Sequence, residues 1–188
     1  MNLLMKLSGI ALLSVVTLSA YAQQKLVPAQ SEIVFVSKQM GVPVDGRFKK
    51  FDAQISFDSA KLDASKVNFT VDIASATLGA PETDAELPKA TWFNTAKFPQ
   101  ATFVSSSFKA LGGGKYDVAG KLSIKGQVRD VVVPVTMVQA GAVTTATGVL
   151  LMKRLAFKIG EGEWADTSMV ADDVQVKFKF ALSGVGKL

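Results

Sequence analysis

The chain has no cysteine and no histidine. The first absence removes disulfides and a thiol nucleophile. The second removes the commonest general base and the commonest transition-metal ligand. A Ser-His-Asp triad, a Cys-His dyad and a His-rich metal site are therefore excluded, and any catalysis would fall to carboxylates. Concentrated charge is also scarce. The 188 residues hold 21 Lys and Arg against 16 Asp and Glu, and the densest basic spots are only Lys49-Lys50 and Lys153-Arg154. Without a basic run or an arginine-rich helix, nucleic acid is not an expected partner. No internal repeat, heptad or low-complexity segment is present.

What is there begins with a leader. Lys6 supplies a positive charge, Ile10 to Ser19 is mostly apolar, and Ala20-Tyr21-Ala22 is a small-x-small cleavage site before Gln23. The apolar run is too short for a membrane span. Residues 1–22 thus read as a cleaved secretory signal, leaving 23–188 as one domain with enough chain for a substantial core.

The remainder alternates with a period of two, the pattern of strands with one apolar and one wet face. Glu32 to Lys38 reads as a first strand. Val44 to Asp58 reads as a second, with Phe51, Ala53, Ile55 and Phe57 on one parity and Phe48 on the other. The slip at Lys49-Lys50 fits either a bulged, bent strand or two short strands with a kink. Val67, Phe69, Val71 and Ile73 mark the third strand. Ala101 to Lys109, Tyr116 to Ile124, Val131 to Val138, Val143 to Lys153 and Val174 to Leu182 mark the rest. Pro134 argues for an edge, bulge or bend in the sixth. Leu155, Phe157 and Ile159 extend the alternation of the seventh. Eight strands of such regular spacing predict an all-β fold: an eight-stranded antiparallel barrel, closed because open edges of this quality invite aggregation.

Between the third and fourth strands the pattern breaks. Pro81 to Phe103 contains three prolines, the early acids Glu82, Asp84 and Glu86, and the pair Trp92-Phe93. It is too long for a hairpin and too apolar at its centre for a linker. A short helical insertion is expected there, with Trp92 and Phe93 forming either the inner face of a lid or a permanent plug. Glu82 and Glu86 read as helix-start acids. The acidic group Glu161, Glu163, Asp166, Asp172 and Asp173 does not follow a calcium-loop spacing and reads as turn residues at a barrel end.

Five segments in order resemble the YceI-like family of exported lipid- and polyisoprenoid-binding proteins. They are Gly46–Asp58, Trp92–Phe103, Val118–Gly126, Leu155–Gly160 and Asp172–Val176, and the match runs from about Leu26 to Leu182. The resemblance implies a lipocalin-like barrel whose apolar cavity holds a long isoprenoid tail, acting as a carrier or store in the periplasm, without catalysis or cofactor. Its partners would be a polyisoprenoid or another long-chain lipid and, transiently, a membrane; monomer and dimer are both open. Many relatives carry a His just after the first strand, where this chain reads Ser37-Lys38-Gln39.

The candidate ligand wall is Phe35, Phe69, Val71, Phe103, Leu122, Ile124, Val133, Phe157 and Phe178, covered by Trp92 and Phe93. Arg47, Lys49 and Lys50, near the bend, are the candidate head-group contacts. The same apolar residues would equally fill a solid core, and periodicity alone does not separate a filled barrel from a hollow one. A filled barrel would suit a protein-interaction module, and a buried carboxylate pair facing a cavity would suit an enzyme acting on lipid.

Overall fold

The computed structural model describes residues 23–188, so the expected signal at 1–22 lies outside the described residues. Eleven strands form one antiparallel sheet: β1 (Lys25–Leu26), β2 (Glu32–Gln39), β3 (Val42–Phe48), β4 (Phe51–Ser56), β5 (Lys66–Asp72), β6 (Ala76–Thr77), β7 (Gln100–Gly112), β8 (Lys115–Ile124), β9 (Gln127–Ala140), β10 (Val143–Lys153) and β11 (Asp173–Ser183). They reduce to eight staves, because three staves are interrupted. β1 and β2 both lie along β11, and they pair with β4 and β3 respectively. β5 and β6 likewise pair with β4 and β3. The order is continuous through β5, β7, β8, β9, β10 and β11 back to β1 and β2, so the barrel is closed.

The slip at Lys49-Lys50 is a sharp bend that divides one stave into β3 and β4. Both lysine N–H groups donate to the Ser75 hydroxyl, at 3.1 and 3.0 Å, and that hydroxyl donates to the Asp72 carbonyl at 2.6 Å. A side chain from the neighbouring stave therefore replaces the ladder where the bend interrupts it. Pro134 has a comparable effect. The β9–β10 ladder runs from Val143↔Ala140 only to Gly148↔Val135 and stops beside the proline, which has no donor to extend it. Beyond that point β9 pairs only with β8, and β10 only with β11.

One expected extension fails. Leu155–Phe157 is a single 3-10 turn and does not continue β10. Arg154 ends the strand, for reasons given below, and Lys158 follows with a left-handed φ of 56°. The insertion between β6 and β7 opens with helix α1 (Pro81–Asp84) and proceeds through turns to Pro99. Asp84 secures its start by accepting from the Thr77 hydroxyl and from the Leu78 N–H at 2.6 Å. Those hydrogen bonds, Thr77 first, hold the Asp84 carboxyl below its ordinary pKa.

The core divides into two clusters. At one end Leu26, Phe57, Tyr116, Val118, Met137, Ala146, Leu182 and Val185 close the barrel. At the other, Ile73, Ala101, Ile124, Phe157 and Ile159 pack with Trp92 and Phe93 of the insertion.

Candidate functional site

Between those clusters the staves enclose a cavity of about 290 Å³. All eight staves contribute inward side chains, for example Phe35, Val44, Phe69, Phe103, Leu122, Val133, Leu150 and Phe178. The lumen is hollow partly because large rings lie against the wall. Gly46 is the cross-strand partner of Phe35, and a Cβ there would stand 2.2 Å from the ring. Gly148 is the partner of Phe178, and a Cβ there would stand 2.4 Å from its ring. The missing side chain gives each phenyl group a flat place on the sheet, so it need not cross the lumen.

Ten of the eleven expected wall and cover residues line this cavity: Phe35, Phe69, Val71, Phe103, Leu122, Ile124, Val133 and Phe178 on the staves, Trp92 and Phe93 on the insertion. Phe157 does not. It is buried, 3% exposed, in the end cluster, because the 3-10 turn carries it off the strand path. The basic residues lie elsewhere too. Arg47, Lys49 and Lys50 are exposed and border a separate groove with Pro28, Ser31 and Glu32, and none of the three lines the lumen.

The insertion covers one end of the cavity. Phe93 meets Phe48 at 6.4 Å between ring centroids, and Phe48 meets Phe35 at 5.2 Å. Trp92 packs on Trp164 at 5.5 Å. The Thr91 carbonyl accepts from the N–H groups of Gly160 and Glu161, which ties the cover to the loop after β10.

That loop is organised by Arg154, 2% exposed. Its Nε donates to the Ala171 carbonyl; Nη1 donates to those of Ile159 and Gly160; Nη2 donates to those of Trp164 and Val170. All five guanidinium donors are thereby used. Burial lowers its pKa, and the nearby Asp172 charge opposes that shift. Parity could have found this residue: Arg154 follows Ala146, Gly148, Leu150 and Met152 on the inward register of β10, where a charge needs partners.

The acidic group at the same end is divided among separate tasks. Glu161 accepts from the buried Lys125 ammonium at 2.9 Å. Asp172 accepts from the Leu155 N–H, Asp166 from Ser168, and Asp173 from Lys153. Glu86 pairs on the surface with Lys89.

A closed antiparallel barrel with a hollow, almost wholly apolar interior and a covered end defines the lipocalin-like class of ligand-holding folds. Within it, the chain belongs to the YceI-like family: residues 24–182 match the YceI-like domain. Among curated relatives, a UPF0312 protein of Azotobacter vinelandii and protein YceI of Escherichia coli O157:H7 are each 38% identical over 96 residues, 51% of this chain and 50% of theirs. The matched stretch thus spans about half the length of these relatives. A UPF0312 protein of Shewanella baltica is 32% identical over 143 residues, 71% of this chain and 75% of its own. Among solved structures, Burkholderia cenocepacia BcnA superposes with a TM-score of 0.81 at 49% identity, covering 83% of this chain and 98% of that one. A polyisoprenoid binding domain from Saccharophagus degradans shares the fold, with a TM-score of 0.70 at 18% identity, covering 86% and 98%.

Proposed function

We propose that this chain is an exported, non-catalytic carrier or store for a polyisoprenoid or similar long-chain lipid. The observation that carries the reading is the cavity wall, which all eight staves build mainly from Phe, Val, Leu and Ile around one apolar lumen. Ten buried methylene equivalents supply on the order of 8 kcal/mol before the cost of association, so a tail binds without specific polar contacts. The polyisoprenoid-binding description of the Saccharophagus degradans domain supports the same ligand class. Against catalysis stand the missing His and Cys, and carboxylates that serve turns, caps and surface pairs. Exposed Met40, Val42 and Met169, with Met40 joined to Met169 through its backbone, give the covered end an apolar rim suited to brief membrane contact.

The test is retention. Protein purified from the periplasm of a bacterial host is incubated with a membrane-lipid extract, washed, and examined by native mass spectrometry. A polyisoprenoid-sized adduct at one per chain is expected, on a chain that begins at Gln23. A lipid-free spectrum would sink the carrier reading; failure to recover the protein from the periplasmic fraction would sink the export reading, and a chain retaining residues 1–22 would sink the cleaved signal.

A further inference from the structure

A lipid held in this lumen needs a way in, and both ends of the barrel are shut. One is filled by the cluster around Phe57, Tyr116 and Met137. The other carries the insertion, which the Thr91 carbonyl ties to Gly160 and Glu161 on the loop that Arg154 holds with five hydrogen bonds. The wall is less complete. β8 pairs with β9 from Lys115↔Thr136 to Ile124↔Gln127, and β10 pairs with β11 from Val143↔Ser183 to Lys153↔Asp173. Between β9 and β10, however, the ladder stops at Gly148↔Val135. Residues 130–134 of β9 and 149–153 of β10 have no ladder partner across this seam. Past it the two sides are tied again. Arg129 Nη2 donates to the Ala156 carbonyl at 3.0 Å, and Nη1 donates to the Val128 carbonyl at 3.0 Å. Ala156 packs with the end cluster that includes Trp92 and Phe93, so the seam runs from the middle of β10 to the covered end.

Apolar side chains border the seam on both faces of the wall. Carrying the register of Gly148↔Val135 onward sets Leu150 against Val133 and Leu151 against Val132. Val133, Leu150 and Met152 line the lumen. Val132 and Leu151 have the opposite parity and are 58% and 69% exposed, with Val128 and Val149 exposed on the same strands.

Resting on the carrier reading above, we infer that this seam is a lateral portal. A hydrocarbon tail settles on the outer strip of Val132, Val149 and Leu151 and passes between β9 and β10 into the lumen, with Arg129 as the latch. Parting two staves elsewhere breaks ladder hydrogen bonds; here it disturbs side-chain contacts and one exposed hydrogen bond. A peptide strand is not the occupant. Adding one needs two ladder spacings, roughly 9–10 Å, between the flanking strands. At the start of the seam β9 and β10 are in contact, where a Cβ on Gly148 would stand 2.5 Å from the Pro134 carbonyl.

The chain has no cysteine, so pairs can be introduced without interference. V132C/L151C spans the seam, and T136C/T147C spans the paired ladder as a control. Each pair is bridged with a short bis-methanethiosulfonate, which a reductant removes, and bridging is verified by mass. Uptake of all-trans-retinol, an uncharged isoprenoid that fluoresces when bound, is followed by stopped flow, and its release by transfer to vesicles. Bridging the seam is expected to slow uptake and release about ten-fold, with equilibrium affinity little changed and both rates restored on reduction. The bridged control should keep the rates of the unaltered protein. R129A should speed both rates about five-fold at unchanged affinity. Rates unmoved by the seam bridge and by R129A, with retinol still bound, would overturn the portal while leaving the carrier. Equal slowing by the seam and control bridges would overturn it as well. Absence of retinol binding to the unaltered protein would remove the carrier reading and the portal with it.

Discussion

Arg154 places a permanent charge at 2% exposure without a carboxylate in contact, and five main-chain carbonyls share it. The arrangement is a knot more than an ion pair: Ile159, Gly160, Trp164, Val170 and Ala171 come from one long loop, and a single side chain fixes their spacing. Gly160 shows how tightly it is drawn, because its φ is +76° and a Cβ there would stand 2.3 Å from Nη1. Lysine keeps the charge but offers three donors on a point-like head, so it leaves carbonyls unpaired. Arg154→Lys is expected to destabilise by about 3 kcal/mol, read as a lower urea midpoint at unchanged slope. The same variant should raise the mobility of Trp92, since the loop that supports it is loosened. A change within experimental error would show that the knot contributes little.

At the scale of elements, the glycine–phenylalanine pairs decide whether the barrel is hollow. Gly148→Ala introduces a Cβ at 2.4 Å from the Phe178 ring and 2.5 Å from the Pro134 carbonyl, the latter unable to yield like a side-chain tip. Either the ring turns into the lumen or β9 and β10 separate further. A loss of about 1 to 3 kcal/mol in denaturant unfolding is expected, with a lower stoichiometry of retained lipid. Unchanged lipid capacity would show that the ring's place on the wall does not shape the cavity. The elements themselves were readable where alternation persists, as in Val67–Val71 and Val174–Leu182, because each inward residue of those two segments is apolar. Legibility ended where a stave is broken or very short. β1 is two residues long and carries no period, and Pro28–Gln30 interrupts its stave, so the closing contact with β4 left no pattern. Leu155, Phe157 and Ile159 carried the pattern of a strand, but the carbonyls that bind Arg154 bend their chain into a turn. The cavity wall was legible through parity. The buried polar atoms without a hydrogen-bond partner, on Ser37, Trp92 and Thr144, were not, because serine or threonine on a strand and tryptophan in a loop are ordinary until every partner is accounted for.

For the whole molecule, the absence of histidine removes the side chain that ordinarily titrates between acid and alkaline limits. The displaced groups lie outside that range. Asp84, Glu161 and Asp166 are held below their ordinary values by Thr77, Lys125 and Ser168 respectively, and Lys153 is held above its own by Asp173. A folded carboxylate of lowered pKa binds protons more weakly than the same group unfolded. Its contribution is therefore present above the unfolded value, near 4, and is lost as pH falls through the folded one. Lys153 behaves oppositely: its contribution is present below about 10.5 and lost as pH rises through its raised value. The melting temperature should be level from about pH 6 to 9 and fall on both sides. Glu161 gives the acid side a specific test, because its partner Lys125 has only 5% of its side chain exposed and its other acceptor is the Lys158 carbonyl. E161Q should melt a few degrees lower than the unaltered protein at pH 7. The gap should close as pH is lowered through the depressed Glu161 value, below which Glu161 is itself protonated and the two chains carry the same charge at that site. A gap that stays constant with pH would show that glutamine fails through packing alone, and that the Lys125 pair does not set the acid limit.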